Sequence, residues 1–337
     1  MDKAKLEGIA QKIMTPGRGI LAADESTGTI KKRFDSIGTE STENKRRDYR
    51  EMLFRTAGFG DNISGVILFD ETLRQNAKDG TPLRDLITAA DAVPGIKVDT
   101  GAKPLPNREG EMVTEGLDGL RERFAEYADL GAGFAKWRAV INIGNGIPSY
   151  NCLKSNMHAL ARYAALAQEA GIVPIVEPEV IMDGSHDIDT CYNVTTWGLS
   201  YLYEELYAAG VHLEGTLLKP NMVISGTDAP NRAGVQEVAE KTIKCFKQTV
   251  PAAVPGIVFL SGGQSDIEAT EHLDAMNKIG GFPWGMSFSY GRALQAAALK
   301  AWGGEEAKEA AGQAAFAHRA KMNGLAAKGE WSSALEG

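Results

Sequence analysis

Cysteine is scarce in this chain: Cys152, Cys191 and Cys245 are the only three in 337 residues, odd in number and far apart. That excludes a disulfide framework and a CxxC metal knuckle, and suits a reducing, cytoplasmic compartment. Histidine is sparse too. His158, His186, His212, His272 and His318 are scattered, with no pair at i,i+4 spacing, so a zinc-activated site lacks ligands and no metal is expected. No apolar run approaches 18 residues, and the N-terminal MDKAKLEGIAQKIM has no apolar stretch; neither a membrane span nor an export signal is expected. There is no basic excess either. Against 36 Lys+Arg stand 44 Asp+Glu, a net charge of −8, which argues against a nucleic-acid partner. GxGxxG and GxxxxGK[ST] are both missing, so no nucleotide loop is expected.

What is present is ordinary globular material, 43% hydrophobic and 24% charged, enough to bury a sizeable core. Eight short β-branched runs begin at Gly19, Ser64, Gly95, Phe134, Val173, Glu214, Gly256 and Trp284. Their mean spacing is about 38 residues, room for a strand, a crossover helix and two loops. Amphipathic helices fill the gaps, three of them ending on Gly131, Gly171 and Gly210, a recurrent C-terminal stop. Eight such units with right-handed crossovers close as a (β/α)8 TIM barrel. The chain therefore reads as one α/β domain over residues 1–337. Residues 1–18 form a helix before the barrel, and residues 304–337 a helix and a loose tail beginning at Trp331. Trp137, Trp197, Trp284 and Trp302 read as packing residues.

In such a barrel the chemistry sits at the C-terminal ends of the strands. Charged residues gather there. Strand one ends in Asp24, strand three in Lys97 and Asp99, and strand four carries Lys136 and Arg138. Strand five carries Glu177 and Glu179, and strand six ends in Lys219. Alternation puts Ile20, Ala22 and Asp24 on one face, and likewise Val173, Ile175, Glu177 and Glu179, with apolar residues first and charge last. Lys219, between Leu218 and Pro220, is the candidate nucleophile. At about 6 Å and an effective dielectric near 20, Lys136 would repel it by about 3 kcal/mol, with Glu177 cancelling part of that effect. A neutral, positioned lysine forms a Schiff base with a ketone.

Strand seven ends in Ser261-Gly262-Gly263, whose backbone N–H groups can approach an anion. Strand eight ends in Ser289-Tyr290-Gly291-Arg292, which opens a helix, and these two loops are the usual phosphate site of a barrel. Arg33, Arg46 and Lys97 are candidates for a second anion on the opposite side.

The segments LAADES, GVILF, GIKVD, FAKWR, VPIVEPE, LEGTLLKPNM, FLSGGQS and FSYGRALQ, in this order and spacing, resemble the class I fructose-1,6-bisphosphate aldolases. The resemblance runs from about Gly17 to Gly304. It implies a metal-independent, cofactor-free lyase of glycolysis and gluconeogenesis. Its partners are phosphorylated ketose and triose substrates, and it implies a homo-oligomer, often a homotetramer. On that pattern Lys219 is the Schiff-base lysine, Glu177 the acid/base for carbinolamine dehydration, and Asp24 a helper at the C4 hydroxyl. Lys136 stabilises the carbinolamine with Glu179 close by. Ser261, Gly262, Ser289, Gly291 and Arg292 bind the phosphate on C1, with Arg33, Arg46 and Lys97 at the far one. Thr29 stands where many members carry serine. The C-terminal tyrosine of the animal members has no counterpart, since the last tyrosine is Tyr290, and loss of Ser332–Gly337 is expected to leave cleavage unaffected. A transaldolase-like transferase would need only one phosphate site. A non-catalytic phosphate-binding scaffold would have no use for Lys219, Glu177 and Asp24.

Overall fold

In the computed structural model, which describes residues 1–337, the eight barrel strands fall close to the expected runs. They are β1 (Gly19–Ala23), β2 (Ile63–Leu68), β3 (Val93–Lys97), β4 (Phe134–Ile141), β5 (Val173–Val180), β6 (Leu217–Leu218), β7 (Gly256–Phe259) and β8 (Gly285–Tyr290). All neighbours pair in parallel, and β1 closes on β8 through Ile20 opposite Ser289 and Leu21 opposite Tyr290. A small antiparallel ribbon, Ala102–Pro104 with Met112–Thr114, follows β3.

The chain enters through α1 (Lys3–Ile13), capped by the Asp2 carboxylate accepting from Lys5 N–H. Its Leu6, Ala10 and Ile13 join Ile20, Ala22, Ile67, Val93, Phe134, Val173, Ile175, Leu217 and Val258 in one buried cluster that fills the barrel's lower interior. The helix is thus a plug. Gly95 faces inward where the Phe134 ring would lie 2.3 Å from any added Cβ, so only glycine fits that layer. β6 is shorter than the run beginning at Glu214 suggests. Leu213–Gly215 form a single tight turn instead, and Gly215 packs so close to the plug that an added Cβ would lie 2.8 Å from Leu6.

The outward faces of the strands pack on the surrounding helices in a second, larger cluster that includes Trp137, Trp284, Trp302, Met222, Met276 and Met286. The helices stop where glycine allows it: Gly131, Gly171 and Gly210 all take positive φ. Trp197 departs from the packing expectation. It lies on Ile188–Ala208 and is 54% exposed, since that helix buries its Val194, Leu199 and Leu202 side instead.

The tail also differs from expectation. After helix Glu309–Ala326, Trp331 is 4% exposed rather than loose. Its backbone N–H donates to Asp274 at 2.9 Å and its indole N–H to Glu336 at 2.9 Å. Glu336 in turn pairs with Arg319 at 2.5 Å. Burial of the indole's apolar area offsets the entropy lost in ordering the segment. No helix is long and apolar enough to cross a membrane.

Candidate active site

Strand register carries the charged residues to one level above the apolar plug. Arg138 lies opposite Glu177 and Val140 opposite Glu179, Lys97 lies opposite Lys136, and the Lys219 N–H donates to the Val176 carbonyl at 2.8 Å. They converge on a cavity of about 610 Å³ at the C-terminal mouth.

At its floor, Glu177 joins two amines. One of its oxygens is 3.1 Å from Lys219 Nζ and the other 3.1 Å from Lys136 Nζ, and Lys136 also meets Asp24 at 2.8 Å. Glu177 and the two amines around it are nearly sealed from solvent: Lys136 is 3% exposed, Glu177 3% and Lys219 4%. Glu177 stands between Lys136 and Lys219, where the sequence reading has it offsetting part of their repulsion.

Burial works against charge on each of these groups, and their neighbours overcome it. Burial raises the Asp24 pKa, but Lys136, Lys219 and Lys97 hold it well below the ordinary range. Burial likewise raises Glu177, and Lys136, Lys219 and Arg138 bring it below normal. For Lys136 burial lowers the pKa, while Asp24, Glu177 and Asp99 outweigh it and keep the amine firmly protonated. Arg138 is held up in the same way by Glu179.

The mouth is cationic on its far rim. Ser261, Gly262, Ser289, Gly291 and Arg292 line it, and Gly291 precedes helix Arg292–Trp302 with no side-chain cap on its first turn. Ser289 Oγ is buried and makes no hydrogen bond within the protein. A Cβ on Gly262 would meet Leu260 Cδ1 at 3.1 Å and Glu179 Oε1 at 3.2 Å, so a side chain there would crowd the Glu179 carboxylate. Gly263 sits outside the lining; its φ of +73° makes the turn, and an added Cβ would strike Met182 at 2.6 Å.

Two arginines move from their expected places. Arg33 lines the cavity beside Gly291, 3.7 Å from an added Cβ, and pairs with Glu25, so it belongs with the Arg292 side and not across from it. Arg46 does not line the cavity at all. Glu71 grips its guanidinium at 2.8 and 2.5 Å, raising its pKa. Lys97 does line it, paired with Asp99 at 2.8 Å.

Glu25 is a site residue that the sequence reading missed. It is 9% exposed, lines the cavity and links Arg33 to buried Arg50, with Gln295 donating to it at 3.0 Å. Simple alternation past Asp24 turns it away from the barrel axis; the signal that could have found it is Arg50 on the apolar side of helix Glu43–Phe54, beside Tyr49 and Leu53. Ser26 and Val140 were also unremarked.

Fold and site together define a (β/α)8-barrel enzyme with buried amines and carboxylates at its reactive end. The chain matches a family model described as "Fructose-bisphosphate aldolase class-I" over residues 5–337, and it belongs to that family. It is 58% identical over 336 residues to the probable fructose-bisphosphate aldolase class 1 of Xanthomonas axonopodis pv. citri, covering 98% of this chain and 99% of that one. The cytosolic fructose-bisphosphate aldolase 4 of Arabidopsis thaliana is 53% identical over 321 residues, covering 95% and 82%. Among solved structures, fructose-bisphosphate aldolase from Plasmodium falciparum, crystallised with TRAP and a small-molecule inhibitor, superposes with a TM-score of 0.97 at 46% identity, covering 98% of this chain and 96% of that chain.

Proposed function

We propose that Lys219, Glu177, Asp24 and Lys136 perform the aldol chemistry of this chain. As a class I fructose-bisphosphate aldolase it reversibly cleaves fructose 1,6-bisphosphate to dihydroxyacetone phosphate and glyceraldehyde 3-phosphate through a lysine Schiff base. The observation that carries the residue assignment is the contact of buried Lys219 Nζ with Glu177 at 3.1 Å on the cavity floor.

Lys219 passes a proton to Glu177 and attacks the C2 carbonyl as the free amine. The amine and the carbinolamine nitrogen carry no charge, so one of the cations holding Glu177 ionised is gone and the carboxyl keeps its proton until dehydration. Glu177 delivers that proton to the departing hydroxyl, water leaves, and the iminium restores the charge. Asp24 accepts the hydrogen bond of the C4 hydroxyl and helps take its proton as the C3–C4 bond breaks. The bond's electron pair flows into the iminium to give the enamine, so the electron sink is organic. Glyceraldehyde 3-phosphate leaves. The enamine then takes at C3 a proton that balances the one lost from the C4 hydroxyl, and water returns to C2 to release dihydroxyacetone phosphate and free Lys219. Lys136, ion-paired to both carboxylates, orients them and steadies the carbinolamine oxygen, with the Arg138–Glu179 pair alongside.

Arg292 makes no ion pair, and with Ser261, Gly262, Ser289 and Gly291 it supplies donors for the phosphate on C1. Arg33 stands beside them and Lys97 serves the other phosphate, with the Ser26 and Thr29 hydroxyls also lining the cavity. Cations at both ends of the cavity favour a bisphosphate over the single phosphate a transaldolase-like reaction requires. The whole chain forms one catalytic unit in this reading, cytoplasmic and homo-oligomeric. The exposed aromatics Tyr150, Trp197 and Tyr207 on two packed helices support the oligomer, and mass in solution measures it.

Borohydride reduction in the presence of dihydroxyacetone phosphate tests the mechanism. The adduct is expected on Lys219 and is absent from Lys219→Met; label on another lysine overturns the assignment.

A further inference from the structure

The phosphate loop Ser261–Ser265 must keep its backbone donors in place without a ligand. Its far end is fixed by a capping box at the start of helix Asp266–Ile279, where Ser265 and Glu268 exchange side-chain and backbone hydrogen bonds. Its middle has another anchor. Gln264 is 6% exposed, and its Nε2 lies 2.9 Å from His272 Nδ1 and 3.3 Å from the sulfur of Met222. His272 itself is 3% exposed. Met222 lies three residues beyond Lys219, and the Leu260 N–H donates to the Pro220 carbonyl at 3.1 Å. Gln264 therefore ties the loop to helix Asp266–Ile279 on one side and to the Lys219 strand end on the other.

We propose that His272 is a positioning residue for the phosphate on C1, acting through Gln264 to hold Ser261 and Gly262 in their anion-binding arrangement. With Gln264 Nε2 as the donor, Nδ1 accepts as the lone-pair nitrogen of a neutral ring. Burial favours that state, lowering the imidazole pKa to about 4. The proposal rests on the loop's role given under Proposed function. A loop already shaped for the anion spends no binding energy on ordering itself, so losing the anchor weakens substrate binding rather than the bond-breaking step.

The test compares steady-state cleavage of fructose 1,6-bisphosphate by the wild type, His272→Leu, His272→Asn, Gln264→Leu, the double variant His272→Leu/Gln264→Leu, and Gly262→Ala. Leucine removes the acceptor; asparagine offers its amide oxygen near the position of Nδ1. Expected for His272→Leu is a KM about fivefold higher at nearly unchanged kcat, as the loss of one hydrogen bond dictates. His272→Asn returns KM to within about twofold of wild type, and the double variant is no worse than Gln264→Leu alone. An unchanged KM in His272→Leu while Gly262→Ala raises it overturns the role of His272 and leaves the loop's role standing. An unchanged KM in Gly262→Ala as well overturns the loop's role itself. Equal KM rises in the leucine and asparagine variants, tracking a shared drop in melting temperature, reduce His272 to packing and also overturn the proposal. If His272→Leu does not fold, His272→Asn and Gln264→Leu decide it: the first must stay near wild type and the second must raise KM.

Discussion

Glu177 divides its carboxylate between Lys219 and Lys136, one oxygen 3.1 Å from each amine. A single side chain thus faces both the candidate nucleophile and the cation beside it, with its pKa drawn below the usual range against the effect of burial. Removing the charge of Glu177 leaves Lys219 without its ion-pair partner while Lys136 keeps Asp24, and removing one amine leaves the carboxylate with the other. Breaking such a buried pair from one side costs about 3–5 kcal/mol.

Glu177→Gln is expected to slow cleavage by about 10²–10⁴, the usual worth of a positioned proton carrier. The loss should appear in the single-turnover rate of Schiff-base formation, followed by acid-quench trapping. A variant that forms the adduct at the wild-type rate and fails only later would move the role to another carboxylate.

Arg33→Ala and Arg46→Ala should part company, although both belonged to one expected cluster. Arg33→Ala raises KM for the bisphosphate by about tenfold, from a lost charge-assisted contact of about 1.5–3 kcal/mol. Arg46→Ala leaves KM within about twofold and costs about 1 kcal/mol or less of stability, because its partner is Glu71 at a partly exposed site. Equal KM effects would return Arg46 to the site.

Trp331→Ala is expected to destabilise by about 3–5 kcal/mol, as for other buried indoles, measured by urea unfolding. Deleting Ser332–Gly337 should lower the melting temperature, through loss of the Glu336–Arg319 pair, while kcat at 25 °C holds. A large fall in kcat on that deletion would give the tail a part in the chemistry.

The His272 pKa of about 4 has a consequence for stability. Its unfolded value is about 6.5, so the unfolded chain takes up a proton that the folded one refuses. The contribution is intact above pH 6.5, shrinks as the pH falls, and is gone below about pH 4, a span worth at most about 3 kcal/mol. Urea unfolding at pH 7 and pH 4.5 should therefore show a smaller acid loss in His272→Asn than in the wild type. Equal losses would mean that the ring titrates normally.

The sequence disclosed most of the barrel because the barrel is periodic. Val173, Ile175, Glu177 and Glu179 alternate onto one face, and the structure places the first two in the plug cluster and the last two in the cavity. The same logic located Asp24, Lys97, Lys136, Arg138 and Lys219 in the cavity lining. It failed for Glu25, whose direction past the end of β1 depends on Arg50 and Gln295 from two distant helices. It failed for Arg46, because a basic helical run does not say which arginine finds a carboxylate. The tail was misjudged for a related reason: Trp331 has its partner in Asp274, 57 residues away.

Local order along each strand, apolar below and charged above, was determined by the sequence, since side-chain alternation is a property of the extended backbone alone. Which charges touch was decided only by tertiary structure. Closure and register set β4, β5 and β6 side by side, and in a dry barrel mouth a displacement of 1 Å separates an ion pair from an isolated buried charge. The bridging of Lys136 and Lys219 by one carboxylate is therefore a product of the closed barrel, written in no single segment of the chain.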